Sequence, residues 1–107
     1  MSNKDLVHRF VRLWNEGRTD RLGEVTHETF TWHSIEGRTI AGLSEYVTSV
    51  TNKSQGKRNI RVEETLTEGD MVMFRLAMDR GDGAVFHTHD LFRISDGKIA
   101  EEWSGHA

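Results

Sequence analysis

The chain contains no cysteine and no proline. Without cysteine it can form neither disulfides nor thiolate metal sites, and its redox compartment leaves no trace. The absence of proline decides nothing by itself. A basic excess is also missing. With 14 Lys and Arg against 17 Asp and Glu, the net charge is −3, so little is available to displace counterions from phosphates. The nearest approach to a basic patch is Lys57, Arg58 and Arg61, with Glu63 and Glu64 following at once. Such a mixed run reads as a solvated strand end. No stretch reaches the ~18 apolar residues of a membrane span, and the N-terminus has no apolar signal core. These absences predict a soluble, cytoplasmic protein with neither nucleic acid nor membrane as partner. P-loop, G-x-S-x-G, H-E-x-x-H and zinc-ribbon spacings are absent too.

What is present fits one small domain over residues 1–107. A length of 107 residues supports one core but not two. Apolar residues make up only 36% of the chain, but they are clustered, which argues against disorder. Asp5 to Glu16 reads as an amphipathic helix, with Leu6, Phe10, Leu13 and Trp14 at helical spacing. Ser2 or Asn3 caps it and Gly17 ends it. Asp20 opens a short second helix. Thr29 to Ile35 is β-branched and aromatic, hence a strand. Leu43 to Lys53 is helical again, closed by Ser54-Gln55-Gly56. Four strands follow. Arg58 to Leu66 alternates, with Ile60, Val62 and Leu66 on one side. Met71 to Met78 is apolar on both faces, as a central strand is. Ala84 to Ile94 and Ile99 to Trp103 complete the set. Glu68-Gly69-Asp70, Arg80 to Gly83 and Ser95-Asp96-Gly97 are the turns, the last carrying a tight-hairpin Asp-Gly. Helices followed by a strand meander predict an α+β fold. Its curved, mixed and mostly antiparallel sheet carries about three helices from the N-terminal half on its concave face, and a pocket forms at the open end of the curve.

Asp90 is the leading candidate for chemistry. It shares strand parity with Phe86, Phe92 and Ile94, so its carboxylate points to an apolar face. Such a carboxylate is costly unless it is paired, and desolvation pushes it toward use as a general acid or base near neutral pH. The competing expectation is a structural pairing with a neighbouring strand. His33 is the candidate assistant across the cavity. It lies opposite to Phe30 and Trp32 in parity, so an aromatic must face out or a bulge must intervene. Trp14, Trp32, Phe74, Phe92 and Trp103 are the candidate substrate-binding walls, against core packing as the plainer reading. Glu101 shares the parity of Trp103 and Glu102 does not, which leaves open the glutamate that faces in. His87 and His89 have metal-ligand spacing but face away from Asp90. They form a weaker third possibility, and neither metal nor cofactor is expected. Arg75 is expected to pair with a carboxylate.

The run from Asp90 through Ser95-Asp96-Gly97 to Trp103 resembles the C-terminal signature of SnoaL-like polyketide cyclases, of the nuclear-transport-factor-like superfamily. The Trp14-Asn-Glu-Gly17 turn with Asp20, the run Phe30-Thr-Trp-His-Ser34, and Leu66-Thr-Glu-Gly-Asp-Met-Val-Met-Phe74 are similar to that family as well. The resemblance implies that Asp90 occupies the catalytic acid/base position, that Trp103 is the family's terminal tryptophan, and that His33 and Ser34 are polar pocket residues. It implies a small hydrophobic ligand and a homodimer through the outer sheet face, where Met71, Met73, Ala77 and Leu91 would otherwise be exposed. The expected function is a lyase or isomerase acting on a hydrophobic carbonyl compound. The alternative is a non-catalytic binding or sensing module of the same fold.

Overall fold

The computed structural model describes residues 2–54, 59–79 and 83–106, the side chains of 51–54 excepted. The turns expected at Ser54-Gln55-Gly56 and Arg80 to Gly83, with Lys57, Arg58 and Gly81, fall wholly or partly outside that set. Helix α1 spans Asn3–Asn15 and buries Leu6, Val7, Phe10, Val11, Leu13 and Trp14 along one stripe. The Ser2 hydroxyl caps it by accepting the Asp5 N–H at 3.1 Å. Gly17, at φ 71°, lets the chain turn away from its end. The second expected helix is a 3-10 helix, Thr19–Glu24, that buries Leu22. Strand β1 (Thr26–His33) starts earlier than the residue types suggest. A three-residue strand, β2 (Thr39–Ala41), was not foreseen. Helix α2 covers Leu43–Ser54. Strands β3 (Asn59–Glu68), β4 (Met71–Asp79), β5 (Val85–Ser95) and β6 (Lys98–His106) follow.

The six strands form one curved, open sheet in the order β2-β1-β6-β5-β4-β3. Only β1 and β6 run parallel, so the sheet is mixed and mostly antiparallel, as expected for α+β. The hairpin from β5 to β6 turns through Asp96 at φ 51° and Gly97 at φ 76°. Two successive positive φ angles are what the two-residue Asp-Gly turn requires. Helix α1 packs on β3, β4 and β6, and α2 on β1 and β2. Both helices share one core with the inner-facing strand residues and so cover the same side of the sheet. Between them and the sheet sit the fully buried Phe30, Val72, Phe74, Phe92 and Ile99.

Two bulges control which side chains face that core. In β3, Val62 pairs with Leu76 but Glu64 pairs with Arg75, so Glu63 is an extra residue. In β6, Ile99 pairs with Ile94 but Glu101 pairs with Arg93, so Ala100 is extra. An extra residue reverses the in–out alternation beyond it. Leu66, expected beside Ile60 and Val62, is consequently 64% exposed.

The open edge of β3 is met by Asn15 at the end of α1. Its carboxamide donates to the Ile60 carbonyl at 2.8 Å and accepts the Ile60 N–H at 2.7 Å. The helix is thereby tied to the strand at one wall of the cavity described next.

Candidate active site

A cavity of about 130 Å³ lies between the helices and the inner face of the sheet. Aromatic walls come from Phe10, Trp14, Trp32, Tyr46, Phe86 and Phe92. That volume is close to the ~150 Å³ of apolar space known to accept a benzene-sized molecule. The polar residues lining it include Thr88, Asp90, Glu102 and Ser104, all on β5 and β6.

Asp90 is 5% exposed, and its partners are well defined. Thr88 Oγ1 donates to Oδ1 at 2.7 Å. Ser104 Oγ donates to Oδ2 at 2.8 Å. The Trp32 indole N–H donates to Ser104 Oγ at 2.9 Å. That bond occupies the serine oxygen as an acceptor and leaves its proton for Asp90. The chain Trp32 to Ser104 to Asp90 thus runs in one direction. Each carboxylate oxygen accepts a hydroxyl and keeps lone-pair capacity for a ligand. Thr88 and Asp90 are two apart on one strand, so they share a face. Ser104 stands opposite Asp90 in the β5–β6 register, and Glu102 stands opposite Phe92. Glu102 is 4% exposed and is the second buried carboxyl lining the cavity.

The expected site residues separate into two groups. Asp90, Trp14, Trp32 and Phe92 all line the cavity. His33, Trp103 and Phe74 do not. His33 lies on the opposite face, because Phe30 and Trp32 take the inward positions of β1. Its ring stacks on Trp103, with centroids 5.2 Å apart and planes 8° from parallel. Its Nε2 meets Glu101 Oε2 at 2.6 Å, and Arg93 donates to Glu101 Oε1 at 3.2 Å. The hydrogen bond from His33, with that from Arg93, holds the Glu101 carboxyl below its ordinary range. Trp103 is turned outward by the Ala100 bulge: counted from Ile99 without the bulge, Glu101 and Trp103 would face in. Phe74 is buried in the core, against His8 at 4.7 Å and Phe92 at 6.0 Å.

His87 and His89 are on the outer face of β5, and His87 Nδ1 meets Glu63 Oε1 at 3.0 Å. Among the described residues, no group of three or more His, Asp or Glu is placed to hold a metal ion. Arg75 pairs with Glu63 and Glu64 on that same face, each at 3.6 Å, and so does not seal Asp90. Sequence reasoning missed Thr88, although its parity with Asp90 was readable. It missed Ser104 because β6 continues beyond Trp103, where the last strand was expected to stop.

Over residues 7–102 the chain matches the family model described as SnoaL-like domain, and it belongs to that family. The likeness to solved structures is one of fold. An NTF2-like protein of unknown function from Cytophaga hutchinsonii superposes with a TM-score of 0.85 at 19% identity, covering 100% of this chain and 91% of that one. A protein of unknown function with a cystatin-like fold, from Xanthomonas campestris, gives 0.83 at 24% identity, covering 100% and 92%. A SnoaL-like polyketide cyclase from Agrobacterium tumefaciens gives 0.82 at 19% identity, covering 97% and 90%. No curated protein is a significant match to the chain. None of the described helices is long and apolar enough to cross a membrane.

Proposed function

We propose that the cavity binds a small hydrophobic carbonyl compound and that Asp90 moves a proton at the carbon beside the carbonyl, as a lyase or isomerase. The observation that carries this reading is the Asp90 carboxylate, buried and open to an aromatic cavity, with one hydroxyl donor fixed on each oxygen. Orientation by Thr88 and Ser104 leaves Asp90 a defined direction of attack, and exclusion of water strengthens its interaction with a bound substrate. Glu102 is the nearer candidate for a second proton-transfer group, since His33 has no access to the cavity.

One observation favours the non-catalytic reading. The described residues lining the cavity include no Lys, Arg or His, so none of them offers a side-chain cation to an enolate. Both readings are tested by α-proton exchange of phenylacetone in D₂O, followed by NMR alongside the Trp32 indole N–H. Catalysis predicts that the protein accelerates exchange and that Asp90→Asn removes about 10²–10⁴-fold of the acceleration. A shifted Trp32 signal without accelerated exchange would leave the binding module as the function.

The reading also takes the protein as a cytoplasmic homodimer. In register across the outer face, Leu66, Met73, Leu91 and Trp103 form a continuous row, an apolar stripe suited to a second copy. Sedimentation equilibrium giving a monomer at micromolar concentration would overturn the dimer.

A further inference from the structure

Among the described residues, the lining of the cavity includes the buried carboxyl of Asp90 and no Lys, Arg or His. Asp90 is satisfied by hydroxyls alone. Among the described residues, no Lys, Arg or His forms an ion pair with it. Hydroxyls satisfy its hydrogen-bonding capacity but not its charge, and a buried carboxylate without a counter-charge is unfavourable. The same cavity is lined by Trp32, Tyr46, Phe86 and Phe92, and aromatic ring faces attract cations. A carboxylate or phosphate ligand would be repelled by Asp90. A neutral ligand would leave the charge as it is. A ligand carrying its own positive charge satisfies both the carboxylate and the aromatic faces.

We propose that the ligand of this cavity is a small, single-ring-sized amine, bound as its ammonium form with the nitrogen at Asp90 and the apolar part against the aromatic walls. This rests on the reading of the cavity as a ligand site, but not on whether Asp90 then transfers a proton. For a carbonyl substrate, the ligand's own nitrogen would bring the positive charge that the described lining lacks.

The test uses three probes of nearly equal shape: phenethylamine, 2-phenylethanol and phenylacetate. Binding to the intact protein is followed by calorimetry and by the Trp32 indole N–H in NMR spectra. Phenethylamine should bind at least about tenfold tighter than 2-phenylethanol, as charged hydrogen bonds outweigh neutral ones. Phenylacetate should bind weakest. Asp90→Asn should erase the preference for the amine while keeping the alcohol, and Glu102→Gln should retain most of it. Equal binding of amine and alcohol would overturn the ligand class but leave the cavity as a binding site. Failure of all three to move the Trp32 signal would overturn both. An amine preference that survives Asp90→Asn would overturn the assignment to Asp90.

Discussion

The two faces of the β5–β6 hairpin are made by adjacent residues and have different consequences. The outer face presents the groups that suggest chemistry: His87, His89, Arg93, Glu101 and Trp103. They form partly exposed pairs such as His87 with Glu63 and Arg93 with Glu101. Such pairs contribute little, because water screens them and long side chains lose entropy in holding them. The inner face presents Thr88, Asp90, Phe92, Glu102 and Ser104. Two of these are ordinary hydroxyls, but the face is largely buried, so water competes weakly for their hydrogen bonds. Residue type alone therefore does not tell which side chains meet the cavity, whereas the direction in which each points does.

Three substitutions sharpen or break this contrast. Phe92→Ala, on the inner face between Phe10 and Phe74, should cost about 3–5 kcal/mol in urea denaturation, because a fully buried ring leaves a void. Ser104→Ala should cost about 1–3 kcal/mol, since it deprives Asp90 of a donor and the Trp32 indole of an acceptor. It should also shift the indole N–H resonance. Glu101→Gln, on the outer face, should cost less than about 1 kcal/mol at neutral pH. The sign of its pH dependence follows from the lowered carboxyl, held down first by His33 and then by Arg93. The contribution of Glu101 is fully present above the ordinary glutamate range and is lost as the pH falls through the lowered folded-state value. The deficit of the Gln variant should therefore shrink on acidification. A cost for Glu101→Gln equal to that for Ser104→Ala would break the contrast between the faces.

The sequence made the order of most elements readable. Helical spacing placed α1, β-branched runs placed the long strands, and Asp96-Gly97 placed the last hairpin. Strand β2 escaped because three residues carry no periodicity. The harder failures trace to the bulges at Glu63 and Ala100. Parity counting is reliable up to a bulge and inverted after it, and neither Glu63 nor Ala100 announces one by residue type. Leu66 and Trp103 lie beyond the bulges, and both were assigned to the wrong face. Asp90 lies on β5, whose pairing with β4 has no such interruption, so its inward direction could be read correctly. His33 was a different case. Its parity already pointed outward, and the proton-sharing chemistry of an imidazole, reinforced by the family resemblance, drew it toward the pocket.

Asn15 has one further consequence. An edge strand with free N–H and C=O groups is a template on which another chain can add. At Ile60 both groups are already taken by the Asn15 carboxamide, which fills the place of a neighbouring strand at the start of β3. The helix end thus blocks strand-by-strand growth of the sheet at that rung.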